Sequence, residues 1–275
     1  MMNIRKTNNL LIIQNEQFKK EIDKIKSIEL LIRSYGDLSF GRDFILCCNH
    51  TFSLQTIITS LELTAGSIAL CCECGCIADA NTLLRKYRDD MFFYLYLVLY
   101  YVCKDSHSDW KELPNIEKNI KHWFDNKLAD LEISLVFKTI GSSPIVEKTV
   151  QKYNLHSSFN IIGTRLNNYV HGNGIKYYNR HFNTYKDDEF RQELTKIANE
   201  MNFITVTFLF LLSLCSPSSI MSEDYINCLD CSIKPDNGSQ YWVAPFILEY
   251  FKKNKSLLGD NIIKYMSDET NMVFN

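Results

Sequence analysis

Ten glycines and five prolines are all the chain breakers this 275-residue sequence contains, and that scarcity favours long helices over a turn-rich β architecture. The apolar spacing agrees. Between Asn15 and Tyr35 the residues Phe18, Ile22, Ile25, Ile28, Leu31 and Ile32 recur at helical intervals, and Gly36 is a natural stop. Similar stripes predict helices over Ser53–Leu70, Thr82–Val102, Ile116–Thr139, Ile145–Tyr153, Ser158–His171, Asp188–Leu214 and Ala244–Asn254. The run from Ser216 to Val243, with Pro217, Pro235 and Gly238, reads as an ordered loop ahead of a helix started by Pro245. The expected class is all-α, a bundle with long core helices and a C-terminal helical extension. Its divisions are an N-terminal helix and loop (1–52), a bundle (53–214) and a loop with helical extension (215–275), packed on the same domain.

Composition narrows the function classes. A net charge of −2 gives no case for a globally basic nucleic-acid binder, so such a role needs a local patch. The apolar touch at Leu10–Ile13 is too short for a secretory h-region. The two most apolar stretches, Met91–Cys103 and Phe203–Cys215, are each about 13 residues long, short of the roughly 20 a membrane span needs. They read as core helices, so no membrane partner is expected. A cytoplasmic location follows, with the ten cysteines as thiols. No GxGxxG and no P-loop occurs, and no cofactor is expected.

Cys71, Cys72, Cys74 and Cys76 crowd together, and Cys228 with Cys231 makes one CxxC. Zinc is usually held by two such knuckles. With only one, and with the CCxCxC run inside a helical pattern, Cys reads better as a small apolar packing residue. No metal site is expected.

The segment SSFNIIGTRLNNYVHGNG concentrates the polar chemistry. Ser157 or Ser158 suits an N-cap, and Gly172 suits the position after the helix. On a wheel of about 100° per residue, Phe159, Ile162, Leu166, Tyr169 and Val170 fall on an apolar side. Thr164, Asn168 and His171 gather opposite, with Asn168 between Arg165 and His171. Arg165 and His171 are about 9 Å apart along the axis, a gap the guanidinium arm can close within one chain or across a two-fold axis. A His can take and return a proton, and an Arg can stabilise charge on a phosphoryl group. Such a pair can cleave RNA without metal. The ordinary alternatives are a His that caps a helix C-terminus and Asn residues that serve buried hydrogen bonds.

The surroundings match the first use. From Lys148 to Lys186 there is no Asp or Glu, while Lys148, Lys152, Arg165, Lys176, Arg180 and Lys186 add positive charge among several tyrosines. This is the profile of a phosphate-tracking, base-stacking surface, though a solvated face has the same composition. Asn167, Lys176, Tyr177 and Arg180 are the candidate RNA contacts. Arg85 and Asp89, four apart, read as a structural pair, with a phosphate contact by Arg85 or Arg88 as the alternative.

RLNNYVHGNG resembles the Arg-x4–6-His signature of HEPN-domain proteins, all-helical bundles that often dimerise and include many toxin and antiphage ribonucleases. LLRKYRDDMFFYLYLVL at 83–99 resembles a core helix of HEPN-like bacterial proteins, and MSEDYINCLD (221–230) and GSQYWVAPFILEY (238–250) resemble further blocks of such a family. The resemblance implies a HEPN-like bundle from Ser53 to about Leu214. It also implies a metal-independent endoribonuclease in a toxin or antiphage role, with Arg165 and His171 as the catalytic pair and Asn168 assisting. The implied partners are RNA, a second copy in a homodimer, and an antitoxin or other protein. Leu166 stands where many active members carry a polar residue, and inactive HEPN domains also occur. A non-catalytic interaction module is the alternative.

Overall fold

The computed structural model describes residues 2–40, 44–47, 50–127, 133–178 and 181–274. Among these it holds thirteen α-helices, four short 3-10 turns and one two-stranded hairpin. The all-α expectation is met, with the hairpin as a small addition. Its strands, β1 (Phe44–Cys47) and β2 (His50–Ser53), pair antiparallel with Phe44 opposite Ser53.

The first helix, α1 (Met2–Gln14), stops at Asn15, whose Oδ1 accepts from the N–H groups of Gln17 and Phe18 at 3.0 and 3.3 Å. That cap starts α2 (Glu16–Ser39). The predicted stop at Gly36 is wrong. The helix runs one turn further because Leu38 and Ser39, beyond the glycine, are buried, and their burial outweighs a glycine cost of about 1 kcal/mol.

Next come α3 (Gln55–Glu73) and α4 (Ile77–Asp105). The turn between them needs Gly75 on two counts. Its φ is +73°, and a Cβ there would lie 2.5 Å from the Cβ of Phe182. The Gly75 carbonyl also accepts the Phe182 N–H at 3.0 Å.

The single helix expected over Ile116–Thr139 is divided into α5 (Leu113–Phe124) and α6 (Ile133–Gly141). Pro114 opens α5. Asn126, at φ +52°, breaks it by adopting the left-handed conformation that Asn tolerates. Asn154, at φ +48°, likewise separates α7 (Glu147–Lys152) from α8 (Leu155–Val170). So α8 begins three residues before the expected Ser158, and the buried Leu155 joins its core face. A short α9 (Ile175–Tyr178) and the 29-residue α10 (Asp187–Cys215) follow.

The stretch expected as an ordered loop contains 3-10 turns and α11 (Asp224–Asp230), then α12 (Pro245–Asn254) begins at its proline. A final α13 (Ile262–Thr270) has no counterpart among the sequence expectations. The C-terminal strand-like residues tie back, with Trp242 bridging Val273 and Met221 bridging Val243.

The chain forms two compact units, each built from separate segments. One comprises Met1–Arg33, Ile58–Met91 and Ser157–Thr205. In it the rings of Phe18 and Phe182 both meet Phe190 edge-on, at 5.0 and 4.9 Å. The buried Tyr87 hydroxyl pairs with Thr205 Oγ1 at 2.8 Å. The other unit comprises Ser34–Ile57, Phe92–His156 and Val206–Asn275. There Tyr94 packs on Phe208, and its hydroxyl meets that of Tyr35 at 3.0 Å. Tyr153, Phe210 and Tyr265 form a second aromatic cluster.

By length and composition α3 and α10 could each cross a membrane. The apolar window of α10 is 72% buried inside the protein, as a core helix would be.

Candidate functional site

From Ser157 onward helix α8 belongs to the first unit, and its sequence pattern sets its faces. Phe159, Ile162 and Leu166 are buried, while Thr164 and His171 are exposed and Asn168 is half-buried. The expected polar face therefore exists. Val170, expected on the apolar side, is 38% exposed.

Arg165 does not open onto solvent from that face. Its Nε donates to both carboxylate oxygens of Glu200, at 2.7 and 2.9 Å, and its Nη2 donates to Glu200 Oε2. Its Nη1 donates to Asn81 Oδ1 at 2.6 Å. The Tyr169 ring lies 5.6 Å from the guanidinium carbon. Both ionic side chains are about one-seventh exposed, 13% and 15%. Asn81, fully buried on α4, is engaged at its other end as well, because its Nδ2 donates to the Ile77 carbonyl at 2.8 Å. Such a planar, bidentate pair is the geometry in which guanidinium and carboxylate bind most strongly.

The second acidic contact is lighter. Tyr169 donates its hydroxyl to Glu193 Oε2 at 3.2 Å. Burial, and then the negative charge of Glu193, push the Tyr169 phenol above its ordinary range. The stretch free of Asp and Glu in sequence is thus not free of them in space, since α10 brings two glutamates against α8. Sequence reasoning missed Glu200, Glu193 and Asn81 because they are distant in the chain. A signal was there: Glu200 sits between Ile197 and Met201, both fully buried, so its carboxylate leaves a core-facing side of α10 and needs a partner.

His171 lies one residue past the end of α8 and is exposed. Its N–H donates to the Asn167 carbonyl at 3.0 Å. Among the described residues its ring makes no hydrogen bond or ion pair, and no contact joins it to Arg165. The turn that presents it depends on Gly172, whose φ is +58° and whose missing Cβ leaves room for the Tyr178 ring at 2.6 Å. Asn168 Oδ1 accepts from Asn173 Nδ2 at 3.1 Å, tying the turn to the last helical residues.

The expected RNA contacts divide. Lys176 is exposed and lies 4.9 Å over the Tyr177 ring, which meets Tyr169 edge-on at 5.0 Å. Asn167 is half-buried, and its Oδ1 is buried without a hydrogen-bond partner among the described residues, so its amide oxygen faces protein. Arg180 lies outside the described residues.

Arg88 has the structural role. It is buried, it donates from Nε and Nη2 to Asp89 Oδ1 at 2.8 and 2.6 Å, and its Nη1 occupies the space a side chain at Gly163 would need. Burial raises the Asp89 carboxyl even against the charge of Arg88. Arg85 approaches Asp89 at 3.6 Å.

Burial pushes the Cys71 thiol up to about 11 and raises Cys76 also, so both stay protonated near neutrality. Among the described residues no group of three or more His, Cys, Asp or Glu is placed to hold a metal ion.

Compared with protein-family models, curated proteins and solved structures, the chain matches none.

Proposed function

We propose that the chain is a HEPN-like, metal-independent endoribonuclease that works as a homodimer in a toxin or antiphage role. The observation that carries this reading is His171: an exposed imidazole without a hydrogen-bond or ionic partner among the described residues, fixed at the end of α8 by a glycine turn, on the polar face it shares with Asn168. An imidazole so placed can take the proton of an RNA 2′-hydroxyl as its oxygen attacks the adjacent phosphorus. It can return that proton to the 5′-oxygen as the P–O bond breaks, leaving a cyclic phosphate. Arg165 would then stabilise the phosphoryl oxygens. Its fork now holds the Glu200 carboxylate, so substrate phosphate would exchange with one anion for another at the same guanidinium.

The test is cleavage of RNA in EDTA by the purified protein, with cyclic-phosphate ends identified by mass spectrometry. His171→Ala is expected to abolish cleavage with less than about 0.5 kcal/mol change in stability, as for an exposed side chain. Cleavage that persists in that variant refutes the assignment.

The Arg165–Glu200–Asn81 clamp specifically favours a second reading, a non-catalytic helical module that binds a protein partner of a defence or regulatory complex. In that case Arg165 is a structural cation, and His171→Ala leaves function intact while partner binding depends on exposed apolar side chains.

A further inference from the structure

Alongside the Arg165–Glu200 pair, within the same unit, a cleft of 510 Å3 is lined by Glu21 of α2 and by Arg191, Gln192, Thr195, Lys196, Asn199 and Glu200 of α10. Residues 192, 195, 196 and 199 share one helix face by their spacing, and their polar side chains make no hydrogen bond or ion pair among the described residues. An unpartnered polar stripe in a concave surface is suited to a polar ligand.

Charge says which sign. Glu21 is taken by Lys24 at 2.8 Å, and Glu200 by Arg165. Arg191 holds Gln17 Oε1 at 2.9 Å and the largely exposed Asp188 at 3.3 Å. Among the described residues Lys196 therefore remains as a cation with no counter-ion. Lys196 and Arg191 are about 7.5 Å apart along the helix and about 140° apart around it, so a flexible strand that reaches both crosses the face carrying Gln192 and Thr195. Gln192 and Asn199 flank them with amides that both donate and accept, as base edges and ribose hydroxyls require.

We propose that this cleft binds a single-stranded RNA backbone, with Lys196 and Arg191 contacting phosphates and Gln192 and Asn199 contacting sugar or base. The choice of ligand rests on the ribonuclease reading, and the groove ends at the glutamate that holds Arg165.

The experiment separates the two ideas. A fluorescein-labelled, 2′-fluoro 12-mer RNA of mixed sequence has no attacking hydroxyl, so its anisotropy reads binding alone. Cleavage of the ordinary RNA is measured in parallel. Lys196→Glu is expected to raise Kd at least ten-fold. Lys196→Ala is expected to reduce the slope of log affinity against log salt by about 0.7. The paired change Gln192→Ala with Asn199→Ala is expected to weaken binding at all salt concentrations. Binding that ignores all three variants, or that falls only with Lys176→Ala, overturns the cleft, and so does absence of binding at low salt. RNA bound through Lys196 but never cleaved upholds the cleft and ends the ribonuclease reading. Cleavage with Lys196→Glu unchanged in both Kd and rate does the reverse.

Discussion

Removing Glu200 is the sharpest test of whether the Arg165 site is structural or free to bind phosphate. Glu200→Ala leaves a guanidinium, 13% exposed, with Asn81 as its remaining polar partner. Breaking a buried ion pair by deleting one partner costs about 3–5 kcal/mol. The residual exposure of both side chains lets some water reach the cation, so the lower end applies, about 3 kcal/mol. With a urea m-value of about 3 kcal/mol/M, the unfolding midpoint falls by about 1 M. Arg165→Met should cost a similar amount, because it strands the carboxylate. The double variant should recover about 2 kcal/mol of the summed losses, since each single change pays for the other's orphaned charge. Circular dichroism across a urea series reads all four proteins. A midpoint shift under about 0.2 M for Glu200→Ala, the size expected of an exposed pair, refutes the reasoning and leaves Arg165 available to a phosphate.

Other predictions follow from single features. Gly172→Ala imposes a side chain at φ +58° against the Tyr178 ring, costing about 1–2 kcal/mol and lowering Tm. It should also reduce any His171-dependent cleavage by displacing the turn. The Cys71 thiol is raised to about 11 from an ordinary value of 9.0, chiefly by burial. Its stabilising contribution is therefore complete below about pH 9 and is lost as pH rises toward 11, where the unfolded chain has already released the proton. Urea midpoints at pH 8 and 10.5 check this, with Cys71→Ala expected to flatten the decline. At pH 8 iodoacetamide should label the exposed Cys231 well before the buried Cys72, as peptide mapping would show.

What could be read from the sequence was what repeats along one helix. The stripe of Phe159, Ile162 and Leu166 placed the core side of α8, and Pro245 marked the start of α12 to the residue. Breaks made by ordinary residues were hidden. Asn126 and Asn154 end helices through left-handed backbone, a conformation their side chains permit without demanding, so no periodicity reveals it. Gly36 misled in the opposite direction, because the burial of Leu38 is decided by distant packing. The site divided on the same line. His171 and the glycine turn beneath it are local and were visible. The partners of Arg165 come from α4 and α10, 84 and 35 residues away, and spacing within α8 carries no information about them. The polar face was real, but the direction of its arginine was a tertiary fact.

The turn at Gly75 bears on how this sequence can vary. Position 75 is restricted twice, by a backbone angle only glycine adopts freely and by Phe182 in the space a side chain would fill. Shrinking residue 182 relieves the second restriction without touching the first, and it removes a ring from the cluster around Phe190. Related sequences should therefore keep glycine at 75 even where 182 changes, whereas a bulky residue at 182 should appear only beside that glycine. Drift at these two positions is directional: substitutions pass through 182 first.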